Sequence, residues 1–192
     1  MKTNLSYPTL NALEALFLSP VSSWKTLQRT TSFRELIVHY ALPFYLITLL
    51  SAMTYYLITS KSPLHAIAKE AGGPLLFWLM FTLFLKVTGS AISAGVSHFG
   101  IKSKEITGER LLVFALLPAM ALAPLYFLGV IGKVLVLTGV FYSIPLIYHG
   151  SRYFFKAPAE IEKTVIISVY AFIMIFSVVF FAGYLAIAHF MF

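Results

Sequence analysis

Five long runs that are nearly free of charged residues constrain this sequence more than any other feature. The runs are Leu36–Ser60, Ala71–Ile101, Leu111–Gly132, Val134–Ser151 and Thr164–Phe192. Their only charged residue is Lys86, at the midpoint of the second run. A helix needs about 20 apolar residues to cross the hydrocarbon core of a bilayer. The runs therefore predict a membrane-embedded helical protein.

The composition excludes several other classes of protein. Hydrophobic residues make up 59% of the 192 residues and charged residues only 11%, which is too little polarity to cover a soluble enzyme. The chain has no Cys, so it has neither disulfides nor zinc–thiolate sites. It also has no Asp, which removes EF-hand and paired-Asp chemistry. We interpret the net charge of +7 as a feature of membrane topology and do not expect nucleic-acid binding.

The predicted fold is all-α: a polytopic bundle of five transmembrane helices in residues 36–192, after an N-terminal segment at 1–35. The crossings are predicted at about 36–60, 73–99, 109–129, 132–150 and 164–190. A single helix over the third and fourth runs would be about 61 Å long, twice the hydrocarbon thickness. We therefore expect a helical hairpin that reverses at Gly129, Gly132 and Lys133.

Local signals support these helix boundaries. Ser32 to Glu35 has the pattern of a capping box at the start of the first crossing. Gly72-Gly73 is predicted to end a short helix, and Pro74 to begin the second crossing. Four further prolines are expected to kink the helices that contain them. They are Pro43, Pro118, Pro124 and Pro145.

The basic residues predict the orientation. In the five-crossing arrangement, ten of the 14 Lys and Arg residues lie on one side of the membrane, and Lys61, Lys69 and Lys133 lie on the other. The positive-inside rule places the richer side in the cytoplasm. We therefore expect a multi-pass protein of a bacterial cytoplasmic membrane, with a cytoplasmic N-terminus and a C-terminus on the outer side.

The N-terminal segment 1–35 is predicted to form one or two short amphipathic helices, because Leu10, Leu13, Leu16 and Phe17 recur at helical spacing. One interpretation places this segment on the membrane surface, where Phe17, Trp24, Lys25 and Arg29 contact lipid. The other packs it against the cytoplasmic face of the bundle. The two interpretations are compatible.

Three phrases along the chain resemble the bacterial branch of the Yip family, membrane proteins named for eukaryotic members that interact with Ypt/Rab GTPases. The phrases are Leu16-Phe17-Leu18-Ser19-Pro20, Leu112-Val113-Phe114-Ala115 through Pro118, and Phe141-Tyr142 through Leu146-Ile147-Tyr148-His149-Gly150. The resemblance extends over nearly the whole chain and lies in the order of features. It implies a five-helix membrane domain without catalytic residues or a cofactor. The acidic, Gly- and Pro-containing motif of eukaryotic members is missing, so no trafficking role and no site residue transfer.

Lys86 is the main candidate for function. A Lys at the centre of a transmembrane helix is costly and often marks an ion, anion or lipid pathway, here together with Thr88, Ser90 and Ser93. The alternative is a structural lysine that binds helix carbonyls or reaches the interface. No acid lies within the five apolar runs, so the sequence predicts no salt bridge for Lys86.

Small residues follow Lys86 at helical spacing, in the pairs Ser90/Ala94 and Ala91/Gly95. They favour close helix packing within the bundle over contact between two copies of the chain, although a homo-oligomer stays open.

Other polar residues give weaker indications. His39, His98 and His149 lie near predicted cytoplasmic helix ends and could bind a metal if the helices bring them together. Four glutamates are predicted to be solvated loop charges or partners of nearby Lys104, Arg110 and Lys163. They are Glu105, Glu109, Glu160 and Glu162. No arrangement of nucleophile and acid indicates an enzyme.

Two functions remain from the sequence. The first is a non-enzymatic scaffold, adaptor or membrane-organising protein whose partners are the lipid bilayer and proteins at the cytoplasmic face. The second is a small transporter, channel or lipid-handling protein that uses Lys86 and the polar face of the second helix.

Overall fold

The computed structural model describes residues 8–19, 23–24, 32–59 and 63–191, which form helices and short connections without any strand. We number the helices in chain order and describe the bundle by its two ends. The helices are α1 (Pro8–Leu18), α2 (Phe33–Thr59), α3 (Pro63–Ser97), α4 (Glu105–Leu122), α5 (Gly129–Phe155) and α6 (Glu162–Met191). The end that carries the connections 98–104 and 156–161 and the start of α2 is called the basic end below.

Four helical stretches are long and apolar enough to cross a membrane. They are Phe33–Thr59, Gly72–Ser97, Ile106–Phe155 and Glu162–His189. The third is 50 residues long and includes α4, the 3₁₀ segment Ala123–Leu128 and α5. The all-helical fold expected from the sequence is therefore confirmed for the described residues, and four of the helical stretches have the length and composition that a membrane crossing needs.

The 50-residue stretch folds back on itself. A Cβ added to Gly139 of α5 would lie 2.9 Å from the Cα of Ala119 in α4, so the two helices are in backbone contact. The reversal occurs at Ala123–Gly129, where Gly129 has a φ of 70°. Of the residues predicted at the reversal, Gly129 lies in it, whereas Gly132 and Lys133 already belong to α5, because Pro124 at the start of the 3₁₀ segment ends α4 early.

Helix α4 lies at the centre of the bundle. Leu111, Leu112, Val113, Phe114 and Ala115 are each 0% exposed. Five consecutive buried residues cover every side of a helix, so α4 is surrounded by neighbours. Its neighbours are α2, α3 and α5, together with α1.

The first residues of α2 reflect a capping signal and a proline. Ser32 caps α2 as predicted, and its hydroxyl accepts a hydrogen bond from the Glu35 N–H at 3.2 Å. Residues Ile37–Ala41 then form a π-helical turn directly before Pro43. Pro43 has no N–H to offer to His39, and the wider turn accommodates the missing bond.

The predicted break at Gly72-Gly73 is wrong. Helix α3 continues from Pro63 to Ser97 through Pro74. The hydroxyl of Tyr45 in α2 donates a 2.5 Å hydrogen bond to the Pro74 carbonyl, and the Tyr45 ring stacks on Trp78. These contacts across α2 and α3 support the helix where the proline would weaken it.

Large apolar side chains are exposed on the outside of the bundle. On α6, residues such as Ile167, Met174 and Val178 are each at least 66% exposed. Phe180, by contrast, packs edge-on against Phe77 of α3 at 5.7 Å. One side of α6 therefore contacts the bundle, and the other would contact the hydrocarbon core of a bilayer.

Candidate functional site

Lys86 of α3 forms an ion pair with Glu109 of α4. The Lys86 Nζ and Glu109 Oε1 are 2.5 Å apart. The Glu109 side chain is only 1% exposed, whereas the Lys86 side chain is 42% exposed. The hydroxyl of Ser90, one turn along α3, donates to the same carboxylate oxygen at 3.3 Å. A buried carboxylate is thus neutralised by a lysine that approaches from the surface.

Two glycines bring the helices close enough for this pair. A Cβ on Gly89 would lie 2.7 Å from the Cα of Glu109, and a Cβ on Gly108 would collide with the Gly89 carbonyl. The Gly108 N–H donates a 2.8 Å hydrogen bond to the hydroxyl of Ser93. The absence of side chains at Gly89 and Gly108 is therefore what allows direct backbone contact between α3 and α4.

The pair corrects two expectations. Lys86 was predicted to have no acidic counter-ion, and Glu109 was predicted to be a solvated loop charge or a partner of Arg110. Both predictions were wrong, because α4 begins at Glu105 and carries Glu109 one turn into the bundle. The short connection 98–104 could have indicated this contact, because it makes α3 and α4 antiparallel neighbours whose residues within about three turns of the connection can meet.

Other charged groups surround the pair. Arg110, next to Glu109, interacts electrostatically with both Glu35 of α2 and Glu109. The Lys86 Nζ also lies 5.4 Å from the centre of the Phe33 ring, a cation–π distance. Two cations and two carboxylates from α2, α3 and α4 thus meet near the basic end with no net charge.

Of the polar residues proposed to line a pathway with Lys86, Ser90 and Ser93 lie in the same helix contact, whereas the buried Thr88 hydroxyl has no hydrogen-bond partner among the described residues. Thr88 is 0% exposed and Ser93 3% exposed, and Ser93 bonds to Gly108 as described. Ser90 bonds to Glu109. Lys86, Ser90 and Ser93 are therefore brought together, and each has a partner on α4.

The three histidines do not form a cluster with other metal-ligating side chains in the described part of the chain. Within the described residues no three His, Cys, Asp or Glu side chains are grouped as a metal site would require. His39 is exposed in the π-helical turn, and the Nδ1 of His98 lies 3.0 Å from the Ala94 carbonyl oxygen. His149 stacks edge-on against Tyr148.

The residues predicted for the membrane surface differ in position. Phe17 is 47% exposed and its ring stacks on Tyr142 of α5 at 5.2 Å. Trp24 is 0% exposed and packs against Phe154, so its assignment to the membrane surface was wrong. The glycine at 150 provides the space for the indole, because a Cβ there would lie 2.8 Å from its ring. Lys25 and Arg29 lie outside the described residues.

Helix α1 packs on the bundle as well. Leu16 is 0% exposed, and its carbonyl accepts a 3.1 Å hydrogen bond from the Tyr142 hydroxyl. The interpretation of the N-terminal segment as a helix packed on the bundle is therefore confirmed for α1 and for Trp24.

Among the small residues of α3, Ser90 and Gly95 pack against neighbouring helices as the sequence favoured, whereas Ala94 does not. The Phe172 ring of α6 occupies the space beside Gly95 that a side chain would fill. Ala94 is exposed and lines an open groove of about 500 Å³ between α3 and α6. At the basic end Glu162 pairs with Arg152 at 2.5 Å, rather than with the expected Lys163.

The arrangement at Lys86 joins helices and neutralises charge. Lys86 and Glu109 supply a half-buried ion pair, and Ser90 and Ser93 supply hydrogen bonds between α3 and α4. Such a set of contacts can fix the position of one helix against another. Comparison of the chain with family models, with curated proteins and with solved structures finds no match.

Proposed function

We propose that the chain is a non-enzymatic scaffold or membrane-organising protein of a bacterial cytoplasmic membrane, with the five-crossing architecture of Yip-like proteins. The observation that carries this proposal is the ion pair between Lys86 and Glu109. It engages the one charge at the midpoint of an apolar run in helix packing, and Ser90 and Ser93 are engaged in the same contact. A transport pathway would instead need these groups for its cargo.

Five crossings are our interpretation of the four apolar stretches. We count α4 and α5 separately because they are in contact as the two arms of a hairpin. With α2, α3 and α6, this count gives five. It also places the connections 98–104 and 156–161 on one side, where the positive-inside rule indicates the cytoplasm.

The basic end would be the surface that meets protein partners. It carries exposed Lys102, Lys104 and Lys163, and α1 contacts the π-helical turn near the start of α2. Exposed charged side chains in short loops favour contact with soluble or peripheral proteins over contact with lipid tails. The opposite end offers Lys133, which lies 5.5 Å from the Tyr126 ring.

Site-specific photo-crosslinking in living cells tests this role. A photoreactive residue replaces Lys104 at the basic end, and Lys133 is the matched position at the other end. We expect reproducible protein adducts at position 104 and none at position 133. Adducts absent from both positions, together with solute flux by the purified protein in liposomes that Lys86→Met abolishes, would overturn the scaffold in favour of a transporter.

A further inference from the structure

An open groove between α3 and α6 has a lining that matches part of a lipid. Its volume is about 500 Å³, and its walls include Ala94, Phe99 and Phe172. His98 and Ser168 are the polar residues among those that line it, and both lie toward the basic end. The groove is therefore apolar along the helices and becomes polar where they end.

The groove exists because several residues on this side of α3 have small side chains or none. A Cβ on Gly95 would lie 2.6 Å from Cζ of Phe172, so the glycine lets that ring lie against α3 and form a floor. Ala94 is exposed beside it. An elongated apolar group can therefore lie against the two helices without displacing a side chain.

Exposed lysines lie close in sequence to the residues at the polar end of the groove. Lys102 and Lys104 follow His98 in the connection and are exposed. Lys163 is also exposed and precedes Ser168 by five residues, about 7.5 Å of helix rise. The neighbouring acid Glu162 is paired with Arg152, and Glu160 is the exposed acid nearby. Glu105 also follows Lys104 in the sequence, so three lysines stand against two acids outside the Glu162–Arg152 pair, and the rim has a net positive charge.

We propose that this groove binds an anionic phospholipid, with one acyl chain against Ala94 and Phe172 and the phosphate near Lys102, Lys104 and Lys163. A negatively charged head and an apolar tail complement the cationic rim and the apolar floor. A second copy of the chain fits less well, because a twofold contact through this face would bring the same lysines of both copies together. The proposal goes beyond the scaffold role and rests only on the chain being embedded in a membrane.

Native mass spectrometry of the full chain in mild detergent tests the site. The protein is titrated with phosphatidylglycerol and, separately, with phosphatidylcholine of the same acyl chains. We expect tighter binding of phosphatidylglycerol, because the two lipids differ only in headgroup. The Lys102→Gln substitution should weaken phosphatidylglycerol binding about fivefold, while Lys133→Gln at the other end should not.

A second pair of variants tests the apolar floor. Ala94→Phe fills the groove at an exposed position, and Ala182→Phe adds the same group at another exposed position on α6. We expect Ala94→Phe to lower phosphatidylglycerol binding at least fivefold and Ala182→Phe to leave it unchanged. Equal binding of the two lipids, or equal effects of the two Phe variants, would overturn the proposal. A dimer mass that Ala94→Phe removes would overturn it too, since the groove would then hold a second copy.

Discussion

Lys86 and Glu109 share one ion pair but have different access to water. The Glu109 carboxylate is 1% exposed, and the Lys86 ammonium group reaches it from a side chain that is 42% exposed. Removing the lysine leaves a charged acceptor buried, whereas removing the acid leaves a cation that can reach polar surroundings. The two single substitutions should therefore have unequal costs.

We predict that Lys86→Met lowers the free energy of unfolding by about 1–3 kcal/mol, less than for a fully buried pair because Lys86 is partly exposed. Glu109→Gln keeps an acceptor for Ser90 and should cost less. Unfolding in mixed detergent and dodecyl sulfate micelles measures both. A Glu109→Gln variant that is at least as unstable as Lys86→Met would contradict this account.

The double variant Lys86→Met/Glu109→Leu separates pairing from packing. Replacing both charges by apolar groups removes the desolvation cost, so the double variant should recover most of the stability that Lys86→Met loses. If the double variant loses as much stability as Lys86→Met and Glu109→Leu lose together when each is measured singly, the two residues are not energetically coupled.

The sequence identified Lys86 as an unusual residue but did not identify Glu109 as its partner. Lys86 stands out because it is alone in an apolar run. Ser90 and Ser93 were predicted to line a pathway with Lys86, and in the structure both form hydrogen bonds to α4. Glu109 was predicted to lie in a loop because the apolar run that predicts α4 begins only at Leu111. In the structure α4 begins at Glu105, so a charge lies inside the helix.

Among the helices, the contact between α3 and α4 depends on glycine at specific positions. Gly89 lies against the backbone of Glu109, whereas nothing lies within 4 Å of a Cβ built on Gly73 in the same helix. Gly73 thus provides a control for the intrinsic effect of glycine in α3.

We predict that Gly89→Ala destabilises the protein by about 1–3 kcal/mol, because the helices must separate. Gly73→Ala should be neutral or stabilise by up to about 1 kcal/mol through helix propensity. The same unfolding assay compares them. Similar values for the two variants would show that α3 and α4 are not in close contact at Gly89.

The N-terminal segment provides a second test among the helices. Trp24 is buried against Phe154, whereas Phe17 is 47% exposed. Trp78→Phe leaves Trp24 as the single tryptophan of the chain. We expect its fluorescence to resist quenching by lipids with spin-labelled headgroups.

The control is the triple variant Phe17→Trp, Trp24→Phe and Trp78→Phe, in which position 17 carries the single tryptophan. This residue should be quenched if α1 faces the interface. Strong quenching of Trp24 itself would return it to the membrane surface and contradict its burial in the bundle.

Helix boundaries were predictable where a local signal sets them. The capping box at Ser32 sets the start of α2 through one hydrogen bond between neighbours. Pro74 was misread because its effect depends on tertiary contacts: Tyr45 and Trp78 support a helix that the local sequence would end. Propensity gives way to packing at such positions.

The whole molecule is a bundle around α4 with an apolar exterior. The uncharged runs predicted a helical membrane protein, since the apolar surface of each helix must be covered by protein or by lipid. Which exposed faces meet lipid follows from exposure, as for Ile167 and Met174 on α6. Orientation follows instead from the distribution of Lys and Arg, because packing within the bundle is the same in either orientation.

Topology mapping with fused reporters tests the central claim, five crossings with the basic end in the cytoplasm. Reporters active only in the cytoplasm or only outside it are fused after Lys104, Lys156 and Phe192. We predict cytoplasmic signals at positions 104 and 156 and an external signal at 192. Opposite compartments for 104 and 156, or one shared compartment for 156 and 192, would contradict the five-crossing account.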